Sequence, residues 1–181
     1  MADETSGTGR LIAVDGSRGT DVAAEARALA DRLRQRGVPC GISRWDASGL
    51  FADLLLAEPE EIVMSPGMLT LLYAADLVFR LRWEIQPALA EGRVVIAAPY
   101  VHSATAVGVA LGLEEAWLRE ILRFAPAPDA VRFARERKPA RGWRARPDRG
   151  YAEFCATVLG AAPPGLKRRK SRASVGAEIA R

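Results

Sequence analysis

The stretch that most constrains the fold is residues 10–24, RLIAVDGSRGTDVAA, in which a short apolar strand runs through a glycine turn into a helix. Glycine turns of this kind wrap backbone N–H groups around an anion at a helix N-terminus, and in the motif GxxxxGK[ST] a lysine and a hydroxyl complete the phosphate site. Here the order of strand, glycine turn and helix is retained, but the residues that would bind the phosphate are different. Counting from Gly16, the second glycine, the lysine and the hydroxyl fall on Asp21, Val22 and Ala23.

The altered loop has two interpretations. As a degenerate phosphate loop, it places a carboxylate where a phosphate would lie, and it has neither an ammonium for the phosphates nor a hydroxyl for magnesium. As an ordinary strand-to-helix turn, it uses Thr20 or Asp21 as the N-cap. The loop consists of Gly16, Ser17, Arg18, Gly19, Thr20, Asp21, Val22 and Ala23.

Length and composition predict one cytoplasmic α/β domain. The 181 residues are 49% hydrophobic, with no apolar run long enough to span a membrane and no signal-peptide core at the N-terminus. Two cysteines provide neither a disulfide framework nor a metal motif, and His102 is the only histidine. We therefore expect no metal site. The predicted divisions are a disordered N-terminus (1–9), the domain (10–162) and a basic disordered tail (163–181).

The positive charge of the chain is concentrated near its C-terminus. Residues 132–149 carry eight Lys and Arg against two acids, for a net charge of +6, and residues 163–181 carry six against one, for +5. Because the whole chain has a charge of +4, the remaining residues carry −7. The tail, with its LKRRKSR run, is therefore one candidate for binding nucleic acid or another acidic partner.

Apolar periodicity predicts strands that alternate with helices. Strands are expected at 11–14, 38–43, 93–99 and 128–134, and helices at 21–36, 66–91 and 113–124, with shorter helices within 44–61, 101–111 and 151–160. This alternation predicts an α/β fold, a three-layer α/β/α sandwich around a mostly parallel sheet.

The long helix at 66–91 carries two apolar stripes. One stripe, expected to pack on the sheet, is Leu71, Ala75, Val78, Ile85 and Leu89. The other surrounds Asp76 and consists of Leu69, Leu72, Phe79 and Trp83. Because a helix buried on one side shows a single stripe, the second predicts another contact, either within the domain or with a second subunit.

At this point a family resemblance becomes visible. The order LIAVDGSRG, a helix ending in LRQRG, SRW, LLYAADLVFRLRWEIQPALAEGRVVIAAPYVHS and GLEEAWLREILRFAPAPD resembles the thymidylate kinase family of nucleoside monophosphate kinases over residues 10–134. The resemblance implies a P-loop kinase-like fold, transfer of the ATP γ-phosphate to dTMP, and a homodimer formed through helices. In such a dimer, Phe79 and Trp83 are the expected aromatic anchors.

The resemblance also assigns a possible ligand pocket, and the alternative for the same residues is a core tyrosine and a surface arginine. Arg44 matches an arginine that grips the monophosphate, Tyr73 stands where a phenylalanine stacks on thymine, and Tyr100 matches the tyrosine that follows the third strand. Leu77 replaces a base-contacting arginine. Ala104 and Val107 replace polar residues that hold the base and sugar.

The catalytic positions that the resemblance implies are altered. The lysine and the hydroxyl of the loop are replaced, as described above. Arg18 stands where the family has an acidic residue in the loop, and Ala98 and Pro99 stand where it has an acid and an arginine after the third strand. We therefore expect no catalytic residue. An arginine-rich segment with the composition of a kinase lid contains Arg135, Arg137, Lys138 and Arg141, and it is also consistent with a solvated basic loop.

Three functions follow from these patterns. The first is a degenerate thymidylate kinase-like protein, a pseudoenzyme without kinase activity that acts as a ligand-binding or interaction module, with a nucleotide or other anion as a possible ligand. The second is an active dTMP kinase with an atypical ATP site. The third is a binder of acidic partners through the tail. Magnesium and ATP are expected cofactors only under the second hypothesis.

Overall fold

The computed structural model describes residues 9–16, 20–50 and 65–135. The strands are β1 (Arg10–Asp15), β2 (Cys40–Arg44), β3 (Val94–Ala98) and β4 (Ala130–Phe133). The helices are α1 (Val22–Gln35), α2 (Pro66–Arg80), α3 (Gln86–Ala90), α4 (Val101–Ala110) and α5 (Glu115–Leu122), and a π-helical turn (Leu81–Ile85) joins α2 to α3. The predicted lid residues after Arg135, the helix at 151–160 and the basic tail lie outside the described ranges.

The four strands form one parallel sheet in the order β2-β3-β1-β4. Ile12 of β1 pairs with Ile96 of β3 on one side and with Ala130 of β4 on the other. Parallel strands buried on both faces read as continuous apolar runs, which is why LIAV and VVIAA predict strands well. The predicted parallel α/β fold is confirmed.

Two apolar clusters lie on opposite faces of the sheet, and together they form the core. Alternate residues of β1 divide between them, with Leu11 and Ala13 in the larger cluster and Val14 in the smaller one. The larger cluster includes residues of α2 and α4, and the smaller one includes the buried face of α1. The described part of the chain thus has the three layers that the sequence predicts.

Helix α2 presents a different face to the core from the one predicted. Leu69 and Tyr73 are buried, whereas Leu71 is 51% exposed and Val78 is 50% exposed, so the predicted sheet-facing stripe is wrong at those positions and at Ala75. The pattern misled because two polar side chains, Asp76 and Arg80, lie on the buried face. The π-helical turn after Arg80 then changes the helical phase, so that a single straight helix does not describe 66–91.

Within the described residues, no helix is both long enough and apolar enough to cross a membrane.

Candidate functional site

The carboxyl edge of the sheet brings together the glycine turn after β1, the start of α1, the end of β2 and the start of α4. In open α/β sheets, ligands bind in the crevice outside the carboxyl ends of the strands. This edge is therefore the candidate site.

Asp15, the last residue of β1, fixes the geometry of the edge. Its carboxylate is fully buried and accepts hydrogen bonds from the backbone amides of Tyr100 at 2.7 Å, Ser103 at 3.0 Å and His102 at 3.3 Å. These amides belong to the N-cap and first turn of α4, where helix N–H groups lack partners within the helix. Gly16 adds a second link, because its amide donates to the Ser103 hydroxyl at 2.8 Å.

Glycine is required at position 16 by close packing. A Cβ there would lie 2.1 Å from Thr20 Oγ1 and 2.8 Å from Val22 Cγ2. The turn therefore retains the tight approach of a glycine loop. Ser17, Arg18 and Gly19 lie outside the described residues.

The N-terminus of α1 is capped by a side chain of the chain itself. Asp21 is the N-cap, and its Oδ1 accepts a hydrogen bond from the Ala24 amide at 2.9 Å. A carboxylate at this end of a helix is also stabilised by the positive pole of the helix dipole. The N-cap interpretation of Asp21 is thus correct. Its negative charge stands at the helix end where a phosphate loop would hold an anion.

Val22, at the lysine position of the loop, is part of the apolar core. It is 0% exposed and lies in the smaller cluster together with Ile96 and Ala98. Ala98 stands where the family's strand-end acid would be, and it is 5% exposed. Two positions that would carry opposite charges in a kinase therefore lie in one apolar cluster here.

These residues do not fit a magnesium-nucleotide complex. Val22 has no ammonium, Ala23 has no hydroxyl, and the buried carboxylate of Asp15 already accepts backbone hydrogen bonds. Among the residues that the structure describes, no group of three or more His, Cys, Asp or Glu side chains is arranged to hold a metal ion.

Tyr73 and Tyr100, which the resemblance assigns to a possible ligand pocket, are core residues with exposures of 0% and 1%. The ring of Tyr73 is stacked against Trp45, with centroids 4.8 Å apart and planes inclined by 13°. Its hydroxyl donates to the Tyr100 carbonyl at 2.9 Å, and the Tyr100 hydroxyl donates to the Pro126 carbonyl at 2.8 Å. Burial raises the pKa of Tyr73 well above its ordinary value and the pKa of Tyr100 to about 12.

The other positions expected to contact a base or sugar lie in the same apolar surroundings. Leu77, Ala104 and Val107 are all buried and belong to the larger core cluster with Tyr73. Of the three predicted pocket residues, only Arg44 is exposed. Tyr73 is thus a core tyrosine and Arg44 a surface arginine, which is the alternative that the sequence leaves open beside a ligand pocket.

Sequence reasoning missed Arg80, which is fully buried under the same edge. Its Nε donates to the Ser43 hydroxyl at 2.9 Å, and its Nη2 donates to the carbonyls of Ser43 and Pro99 at 3.0 Å each. The Ser43 hydroxyl in turn donates to Glu84 at 2.6 Å. Nη1 has no hydrogen-bond partner. The only signal in the sequence is that Arg80 follows Tyr73 and Asp76 at helical spacing.

Asp76, a buried acidic residue of α2, holds the turn after β2. Its carboxylate accepts from the amides of Asp46 at 3.1 Å and Ser48 at 3.0 Å, and from the Ser48 hydroxyl at 2.9 Å. This turn carries Trp45 over the ring of Tyr73. Asp76 and Trp45 together therefore fix the closed arrangement.

A small cleft remains on the α1 side of the edge. Its volume is about 100 Å³, and its walls are mainly apolar. The lining residues are Ala23, Ala26, Ile42, Arg44, Trp45, Ala98 and Pro99. No ion pair or hydrogen bond links Arg44 to another side chain in the described ranges.

The parallel sheet and the glycine turn leading from β1 into α1 define a P-loop kinase-like α/β protein. A likeness in fold supports this class: thymidylate kinase from Ehrlichia chaffeensis aligns with a TM-score of 0.60 at 18% identity, over 70% of this chain and 74% of that one. The chain belongs to the thymidylate kinase family, whose model matches residues 19–150.

Curated proteins of the same family are similar in sequence to about two thirds of this chain. The probable thymidylate kinase of Pyrococcus horikoshii is 31% identical over 127 residues, which cover 67% of this chain and 62% of that protein. That of Thermococcus onnurineus is 29% identical over 130 residues, which cover 67% and 63%. The chain thus spans less than two thirds of the length of these relatives.

Proposed function

We propose that this member of the thymidylate kinase family does not transfer phosphoryl groups and acts as a ligand-binding or interaction module, a pseudoenzyme in the cytoplasm. The observation that carries the proposal is the shared apolar cluster of Val22 and Ala98. Phosphoryl transfer depends on positioned positive charge and on side chains that hold a metal ion, and neither Val22 nor Ala98 can supply either. Asp21 adds a negative charge at the helix end that would have to receive the phosphates.

The acceptor side supports the same proposal independently. Trp45 covers the ring of Tyr73, and Leu77 belongs to the core cluster around it. A base could stack on Tyr73 only after Trp45 had left a packed contact. Binding of a nucleoside monophosphate in the family's manner would therefore require the edge to open.

Calorimetry and a coupled kinase assay test this proposal. We expect no saturable binding of ATP with magnesium and no phosphorylation of dTMP. A variant that restores the loop, Asp21→Gly with Val22→Lys and Ala23→Ser, should also lack kinase activity, because Ala98 and Leu77 remain unchanged. Phosphorylation of dTMP by the unaltered protein with magnesium-ATP would overturn the proposal, and micromolar, magnesium-dependent binding of ATP without turnover would contradict only the expectation about ATP.

The alternative is an active nucleoside monophosphate kinase with an atypical ATP site. The names of the curated relatives and the exposed Arg44 favour it. The kinase assay separates the two functions directly. Turnover by the unaltered protein that is lost in Arg44→Gln and retained in the exposed control Arg27→Gln would establish the alternative.

We also propose that the protein is a homodimer that associates through α2. The exposed apolar residues of this helix and of the π-helical turn are Met68, Leu71, Val78, Phe79 and Trp83. Trp83 is 66% exposed, and a two-fold partner would bury the same surface on both subunits.

Sedimentation tests the dimer. Phe79→Glu combined with Trp83→Glu should yield soluble monomer, and the control Phe133→Glu should remain dimeric, since Phe133 is 64% exposed on β4, away from α2. An unaltered protein that sediments as a monomer at tens of micromolar would rule the dimer out.

A further inference from the structure

The cleft at the start of α1 combines an apolar body with one cationic rim. Small side chains form much of its wall, with Ala23 and Ala26 from α1 and Ala98 from β3. Arg44, at the end of β2, is an exposed lining residue whose charge no carboxylate in the described ranges neutralises. From this arrangement we propose that the cleft binds a short aliphatic carboxylate, with its hydrocarbon end inside the cleft and its anionic end on Arg44.

The size of the cleft limits the ligand. A cavity of about 150 Å³ lined by apolar side chains accommodates benzene, so a cleft of about 100 Å³ accepts roughly three to five carbon atoms. A nucleobase with its sugar is much larger than this space. The cleft therefore selects a short branched or straight chain.

Charge sets the orientation of the ligand. The Asp21 carboxylate at the N-cap of α1 would repel an anion near the glycine turn. Arg44 lies at the end of β2 and attracts one. The carboxylate of the ligand consequently points toward Arg44, and its hydrocarbon part contacts Ala23, Ala26 and Ala98.

This inference rests on the proposed function, because Ala23 and Ala98 of the cleft wall stand where the resemblance implies a hydroxyl and an acid in an active kinase. It nevertheless names a different ligand from either kinase substrate. The binding of an aliphatic acid and the absence of ATP binding can therefore be measured separately on the same protein.

Isovalerate is the probe, and the measurement is a titration followed by two-dimensional NMR of the backbone amides. We expect saturable shifts at Ala26 and Ile42, beside the cleft, and none at Leu118, on the other face of the sheet. Acetate and inorganic phosphate, which lack the hydrocarbon part, and isovaleramide, which lacks the charge, should each bind more weakly. Equal binding of any of these three overturns the inference.

Variants locate the ligand. Arg44→Gln should weaken isovalerate binding roughly fivefold, the upper range for a partly exposed ion pair. Arg27→Gln, an exposed arginine of α1 that does not line the cleft, should leave binding unchanged. Ala23→Leu should fill the cleft and abolish the shifts, and circular dichroism checks that it is folded. Because Arg44 is exposed, its result decides the matter even if Ala23→Leu does not fold.

The outcomes are distinguishable. If isovalerate causes no saturable shift and magnesium-ATP also causes none, this inference fails and the proposed function stands. If the protein phosphorylates dTMP with magnesium-ATP, the proposed function fails whatever isovalerate does. Binding of isovalerate that is unaffected by both Arg44→Gln and Ala23→Leu places the ligand elsewhere and overturns the inference.

Discussion

The carboxylate of Asp15 joins β1 to the start of α4, and Asp15→Ala should be among the most destabilising substitutions at this edge. The side chain is fully buried and accepts three backbone hydrogen bonds, at 2.7, 3.0 and 3.3 Å. A hydrogen bond to a charged group contributes about 1.5–3 kcal/mol. Two short bonds, with water able to replace the longer one, predict a loss of about 3–5 kcal/mol in the free energy of unfolding.

Asp15→Asn keeps the volume of the side chain and changes only its charge and hydrogen bonds. An amide oxygen in place of Oδ1 still accepts from Tyr100 and Ser103, but the amide nitrogen then faces the His102 N–H, a donor against a donor. We expect a loss of about 1–2 kcal/mol. The control is Asp31→Ala, which removes an exposed ion pair to Arg34 at 3.4 Å and should cost less than about 0.5 kcal/mol.

Urea unfolding followed by circular dichroism measures all three variants, and an unchanged dependence on urea shows that the unfolded states are comparable. If Asp15→Ala loses under about 1 kcal/mol with that dependence unchanged, the carboxylate does not hold α4, and the argument for this edge is wrong.

Four further substitutions are measurable by the same method. Asp21→Ala removes the N-cap of α1 and should lower the free energy of unfolding by about 0.5–2 kcal/mol; no loss would show that the cap does not matter. Gly108→Ala brings a Cβ within 2.6 Å of Leu118 and should cost about 1–3 kcal/mol, whereas Gly67→Ala, with nothing within 4 Å, should be neutral or stabilising. Burial raises the pKa of Tyr73 above its ordinary 10.0, so its stabilising effect is complete below pH 10 and is lost as the pH rises toward the folded value. The urea midpoint should therefore fall above pH 10, and it should fall less in Tyr73→Phe.

The fold was predictable from sequence because most of its elements carry strong local signals. LIAV and VVIAA are uninterrupted apolar runs, as buried parallel strands require, and α1 shows helical spacing with Asp21 at its start. The order of the strands in the sheet, by contrast, was not predictable from local signals. It depends on pairings such as Ile12 with Ile96, which are far apart in the chain and leave no local pattern.

The face of α2 was not predictable, because burial there depends on distant hydrogen bonds. Periodicity does not show that Asp76 and Arg80 face the core, yet Asp76 accepts from the turn after β2 and Arg80 donates to the ends of β2 and β3. A carboxylate whose hydrogen bonds are made in this way, such as that of Asp76, can be buried at little cost. The closed pocket has the same cause, since the stack between Trp45 and Tyr73 joins two elements that only the folded chain brings together.

Val22 and Ala98, where the resemblance implies a lysine and an acid, are coupled through the cluster that they share. Val22 and Ala98 lie in one apolar cluster, so a lysine introduced at 22 alone would have no acid at 98, and an acid introduced at 98 alone would have no lysine. A buried charge without a partner costs several kcal/mol, whereas apolar side chains of suitable size in the same space stabilise the fold. If either charge is missing, an apolar residue at the other position is therefore expected to be the more stable choice. The same coupling implies that the variant with the rebuilt loop gains a lysine without gaining its acid, and it should therefore lose stability as well as lack activity.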